Sequence, residues 1–138
     1  MRSALDTNIL IALWSATPEF TKSRDLLIQA RSAGGLVICC LVYGELLAQP
    51  GIKAGFVDEF LTNTGIEVDF HLSREIMTLA SGAHAAYTLR RRQAAGSEPR
   101  RILTDFVIGA HAIKRADRLI SFNSKDFRLN FPKLAMLP

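Results

Sequence analysis

Apolar and polar positions in this chain come in blocks that alternate between strand and helix lengths. Ser3-Ala4-Leu5 leads through Asp6-Thr7-Asn8 into Ile9-Leu10-Ile11-Ala12-Leu13-Trp14, which predicts a short strand running into a helix with Asp6 at the junction. Thr17-Pro18-Glu19 then reads as a helix start, with Thr17 as cap and Pro18 at the first helical position. Phe20, Leu27 and Ala30 recur at helical spacing until Gly34-Gly35 stops the helix. The unbroken apolar run Leu36 to Cys40 is expected to be a central parallel strand covered on both faces.

A short helix from Val42 to Ala48 follows, with Glu45 in its first or second turn, closed by Pro50-Gly51. Lys53 to Leu61 predicts another helix and Ile66-Glu67-Val68 a short strand. Ser73 caps a long helix in which Ile76, Ala80, Ala83 and Tyr87 share one face. The most polar stretch runs from Arg90-Arg91-Arg92 to Arg100-Arg101, after which Ile102-Leu103-Thr104-Asp105 turns back into the core. Phe106 to Ala116 is apolar on nearly every side and should be a buried helix. Arg118 to Phe122 predicts a strand, Asn123 to Phe127 a loop, and Leu134 to Leu137 an edge strand. Strands alternating with helices imply an α/β domain with a largely parallel sheet.

Composition narrows the class. A chain of 138 residues with 49% hydrophobic content fits one globular domain spanning 1–138. No apolar run is long enough for a transmembrane span, and the N-terminus shows no basic region followed by an apolar signal core, so a cytoplasmic protein with no membrane partner is expected. Cys39 and Cys40 are adjacent, which on a strand points them to opposite faces, and they are read as small hydrophobes. The net charge of +4 and pI near 9.4 are compatible with a polyanionic partner without requiring one.

Chemistry enters through repetition. Taken alone, Asp6 reads first as a helix cap, as do its neighbours Thr7 and Asn8. Yet an apolar segment leads into a helix with an acid at or just inside its start three times, at Asp6, Glu45 and Asp105, and a fourth segment ends in Ser121 and Asn123 with Asp126 beyond. In a parallel sheet, ligands bind beyond the carboxyl ends of the strands, and these groups would gather there. Three converging carboxylates hold each other in the protonated form unless a cation is present. Mg²⁺ or Mn²⁺ suits them, because hard cations take oxygen ligands and leave positions for water and phosphate. The chemistry suggested is phosphodiester hydrolysis.

Leu5-Asp6-Thr7-Asn8-Ile9, Tyr43-Gly44-Glu45-Leu46, Thr104-Asp105-Phe106-Val107-Ile108-Gly109-Ala110-His111-Ala112 and Leu119 to Phe127 together resemble the PIN-domain ribonucleases, most closely the VapC-like toxins of toxin–antitoxin pairs. The resemblance implies a PIN-like three-layer sandwich, a mostly parallel sheet of four to five strands flanked by helices. It implies a Mg²⁺- or Mn²⁺-dependent endoribonuclease with Asp6, Glu45 and Asp105 as metal ligands and Asn123 at a fourth position that is often Asp. Thr7, Asn8, Thr104, Ser121 and Asp126 would support the site. It further implies an RNA substrate, often structured RNA such as transfer RNA, a homodimer, and inhibition by a small VapB-like antitoxin. Asn123 departs from the family pattern: its amide oxygen can hold a metal or a metal-bound water but lacks a charge, which Asp126 could replace.

Other residues fit blander roles. Arg90, Arg91, Arg92, Arg100 and Arg101, with Lys125, could grip phosphates, or could be a solvated helix end and loop. His71, His84 and His111 are read as structural or surface residues, and Trp14 as core. The competing functional class is a non-catalytic PIN-like module that binds RNA or protein. A phosphatase acting on small esters is a further alternative, made less attractive by the arginines.

Overall fold

A computed structural model describes residues 1–53, 55–94 and 101–138. Five strands, β1 (Ser3–Leu5), β2 (Leu36–Cys39), β3 (Ile66–Asp69), β4 (Arg118–Ile120) and β5 (Met136–Leu137), form one sheet in the order β3-β2-β1-β4-β5. Every pairing is parallel. Each of Leu36, Val37, Ile38 and Cys39 is buried, which requires cover on both faces of β2. The described helices are α1 (Thr7–Ile11), α2 (Glu19–Ala33), α3 (Cys40–Leu47), α4 (Phe56–Thr64), α5 (Arg74–Gln93), α6 (Leu103–Arg115) and α7 (Ser124–Asn130), with a 3₁₀ turn at Ala12–Trp14. The architecture is thus the expected α/β sandwich, with an all-parallel sheet of five strands.

The chain builds β1, β2 and β3 outward in one direction, then returns to place β4 on the other side of β1. That reversal is the topological switch point, where parallel sheets open a crevice at their carboxyl edge. Leu5 is in register with Ile120, so the residues after them, Asp6 and Ser121, leave adjacent strands at the mouth of this crevice. Asp6 N–H donates to the Ile120 carbonyl at 3.0 Å, extending the pairing to the junction itself. Helix α6 runs through the core: Phe106 to Ala112 are all buried, as the nearly uniform apolar pattern requires. Among the described residues no helix is long and apolar enough to cross a membrane.

Three local expectations need correction. Asn123 to Phe127 is not a loop: α7 begins at Ser124, because Phe127 and Phe131, four apart, both bury into the core and draw the polar stretch into a helical turn. Cys40 does not continue β2 but opens α3, so strand alternation does not govern the cysteine pair. Both cysteines are free, and burial pushes the Cys39 thiol up to about 12, which leaves it a small hydrophobe as expected. Thr17 offers no side-chain cap to α2, which starts at Glu19 after Pro18.

Candidate active site

Asp6 is the N-cap of α1, and it is held from two directions. Its Oδ1 accepts from Thr7 N–H at 2.8 Å, and its Oδ2 accepts from the Ser121 hydroxyl at 2.7 Å. The cap reading is therefore correct for this residue. It is only 7% exposed, and burial pushes its carboxyl up from 3.8 to about 6. The Ser121 and Thr7 hydrogen bonds oppose that rise, while the negative charges of Glu45 and Asp105 add to it. Asp6 thus lies close enough to Glu45 and to Asp105 to feel their charges.

Each of the other acids is oriented by a local bond. Glu45, in the second turn of α3, accepts from the Thr7 hydroxyl at 2.6 Å, so one residue of α1 ties β1's junction to α3. Asp105, in the first turn of α6, accepts the Ile102 amide at 3.2 Å and so caps its own helix. Ser121 is fully buried and central to the far side. Its oxygen receives the Asn123 amide at 2.9 Å and the Asn8 Nδ2 at 3.4 Å while its hydroxyl donates to Asp6. Asn8 completes the ring by accepting the Phe122 amide at 3.3 Å. Thr104 stands half-buried beside Asp105.

Asn123 lines a small cleft together with Asp105, Asp126 and Arg101. Arg101 forms an ion pair with Asp126, so the charge expected to compensate Asn123 is already engaged. The predicted arginine group divides accordingly. Arg90 donates to Asn130 Oδ1 at 2.8 Å, Arg91 is half-buried, Arg92 is exposed, and Arg100 lies outside the described residues. Lys125 is exposed on α7.

Two features escaped sequence reasoning. His111 is 1% exposed and its Nε2 lies 3.0 Å from Asp69 Oδ2 at the end of β3, a structural pair that no local spacing reveals. Lys22 sits 5.4 Å over the ring of Phe122 at the end of β4. Trp14 packs edge-on against Phe56 and Phe60, both at 5.2 Å, consistent with a packing role.

Among the described residues no three His, Cys, Asp or Glu side chains close into a ready-made metal cage. Mg²⁺ does not need one, since it commonly takes one or two carboxylates and retains water. A buried carboxylate whose charge is opposed by two neighbouring acids is the donor set such a cation fits.

The sequence model of the PIN domain matches residues 4–131. No curated protein sequence matched. Among solved structures, the chain is similar to VapBC2 from Rickettsia felis bound to a DNA fragment from their promoter, with TM-score 0.66 and 19% identity over 99% of this chain and 98% of that chain. A toxin-antitoxin complex from Klebsiella pneumoniae gives TM-score 0.63 and 21% identity over 99% of this chain and 96% of that one. VapBC-1 from nontypeable Haemophilus influenzae gives 0.65 and 24%, over 99% and 97% respectively. At these identities the structural likeness speaks for the fold.

Proposed function

This chain belongs to the PIN domain family, and from that premise we propose that it is a metal-dependent endoribonuclease, the toxin of a toxin–antitoxin pair. The observation that carries this reading is Asp6: a carboxylate buried at the switch point, held by two hydrogen bonds, and facing two further acids. Such an arrangement costs free energy unless a cation joins it. Asp6, Glu45 and Asp105 would hold Mg²⁺ or Mn²⁺, with the Asn123 amide oxygen assisting. When bound, the ion supplies charge neutralisation at the phosphate and a lowered pKa for an attacking water.

The chain's own contribution is placement. Thr7 fixes Glu45, Ser121 and the Thr7 amide fix Asp6, and the Ile102 amide fixes Asp105, so the acids need little reordering when substrate arrives. The exposed Lys125 and Arg92, with Arg90, Arg91 and Arg101 nearby in the chain, supply cations suited to an RNA backbone. The structural neighbours are toxin–antitoxin assemblies, which supports a VapB-like protein partner for this chain as well.

The test is cleavage of total RNA by the purified, partner-free protein with Mg²⁺, with Mn²⁺ and with EDTA, beside Asp6→Asn and Asp105→Asn. Discrete products that need both the ion and the two acids are expected. Unchanged turnover in a folded Asp105→Asn variant would refute the site assignment. The neutral Asn123 favours one second reading, a PIN-like module that binds RNA or protein without cutting it. RNA retained but never cut under any metal condition would select that reading.

A further inference from the structure

Arg101 is placed as no other cation in the described structure is. Its backbone amide donates to the Tyr87 hydroxyl, and the next residue's amide donates to Asp105 Oδ2 at 3.2 Å. Its guanidinium meets Asp126 through Nη2, in the cleft that Asp105 and Asn123 also line. Asp126 is in turn fixed by its amide, which donates to the Asn123 carbonyl at 3.1 Å. Arg101 therefore bridges the N-terminal turns of α6 and α7, with its root fixed beside one candidate metal ligand and its head beside the neutral fourth position.

The charges in this cleft decide what else it can take. Asn123 contributes none, and Asp126 is balanced by Arg101, so only Asp105 remains uncompensated there. A second divalent cation on this side would find no free carboxylate of its own and would face a fixed positive charge. Meanwhile Arg101 Nε is buried and has no hydrogen-bond partner among the described residues. A guanidinium has five N–H donors, so one carboxylate does not exhaust it, and a buried donor without an acceptor is costly. The side chain as a whole is 27% exposed, so a phosphate oxygen entering the cleft would meet the guanidinium's accessible N–H donors.

We propose that Arg101 takes the place of a second metal ion: the site holds one divalent cation, on Asp6, Glu45 and Asp105, and the Arg101 guanidinium, anchored by Asp126, grips phosphate on the Asn123 side. This rests on the nuclease reading above. Asp126 then serves as the anchor of Arg101 rather than as a metal ligand. Arg101 is a substrate-gripping residue whose position is set by two helices, whereas Arg90, Arg91 and Arg92 belong to the last turn of α5.

Calorimetric titration of the full chain with Mn²⁺ alone tests the ion count without any need for activity. Wild type and Asn123→Asp should each bind one ion per chain, because Arg101 still guards the fourth position. The double variant Arg101→Gln/Asn123→Asp should bind two. Arg101→Lys/Asn123→Asp, which keeps the charge, should return to one and shows that the change is electrostatic rather than a disturbed fold. Two ions in wild type, or one in Arg101→Gln/Asn123→Asp with its circular dichroism unchanged, would overturn the proposal. No ion in wild type would instead remove the metal-dependent reading on which it stands. The grip itself is read by binding of a mixed-sequence oligoribonucleotide in EDTA. Arg101→Gln should weaken it roughly tenfold, as loss of a charge-assisted phosphate contact does. Equal affinity of Arg101→Gln and wild type would refute the phosphate contact.

Discussion

Asp6→Asn should make the metal-free protein more stable at neutral pH while removing cleavage. In the folded chain, burial and the charges of Glu45 and Asp105 raise the Asp6 carboxyl from 3.8 to about 6, so the fold disfavours its ionised form. A group raised on folding contributes stability that is complete below its unfolded pKa and is lost as pH rises through the folded one. Here that window runs from about 4 to about 6. At about 1.4 kcal/mol per tenfold change in proton affinity, the full loss is about 3 kcal/mol, and roughly 2–3 kcal/mol of it falls between pH 4 and pH 8. Because Asp6 is almost wholly buried, solvent screening reduces this little.

Asparagine carries no charge at any pH and so shows no such step. It does disturb the Ser121 hydroxyl, which now donates to Asp6 Oδ2, but that cost is an offset that does not vary with pH. The assay is urea unfolding of both proteins in EDTA at pH 4, 5, 6, 7 and 8. The variant should gain on wild type by roughly 2–3 kcal/mol across that range, most of it by pH 6. Added Mg²⁺ should raise wild-type stability at pH 8 and leave the variant nearly unmoved. Stability curves that stay parallel from pH 4 to pH 8 would show that Asp6 titrates like a surface carboxylate, and the electrostatic account of the site would fail.

Other outcomes follow from single contacts. Thr7→Val removes the hydroxyl that orients Glu45 at 2.6 Å and should lower RNA cleavage about tenfold for about 1–2 kcal/mol of stability, with Thr7→Ser restoring both in the same assays. Gly109→Ala would place a Cβ 2.4 Å from Cε2 of the buried Phe131, so urea unfolding should show a loss of about 1–3 kcal/mol. Burial holds the His111 imidazole below 6.5 despite its bond to Asp69, so its neutral form contributes stability that is lost as pH falls from 6.5 through the lowered value. His111→Gln should therefore show a smaller drop in Tm between pH 7.5 and pH 5 than wild type does.

What could be read from the sequence was whatever a strand–helix junction dictates locally. Asp6, Glu45 and Ser121 each follow a strand of the sheet, and a parallel sheet sends all such ends to one edge, so their placement followed without knowing the strand order; Asp105 follows no strand, and the fold of α6 brings its charge near Asp6. Contacts between distant positions were not legible. The Asp69–His111 pair joins residues 42 apart in sequence, and nothing in the neighbourhood of either announces the other. Helix α7 was hidden because Asn123-Ser124-Lys125-Asp126 has the composition of a turn, and only the burial of Phe127 and Phe131, a tertiary effect, makes it helical. Arg101 looked like one of five interchangeable arginines until the fold set it against Asp126.

That last distinction ties the neutral residue at position 123 to the rest of the site. A substitution of charge at one ligand position changes the balance of the whole cluster, so it is tolerable only where the surroundings change with it. On the β1 side burial, with the charges of Glu45 and Asp105 adding to it, drives Asp6 toward its protonated form. On the α7 side the one remaining acid already has its cation. The site is thus electrostatically lopsided, short of positive charge at Asp6 and close to neutral at Asn123. Under the proposed reading, a single divalent ion on Asp6, Glu45 and Asp105 would balance the first half without disturbing the second. Restoring Asp at position 123 while leaving Arg101 in place should therefore produce a new ion pair rather than a new metal site, which is why the two positions have to be changed together.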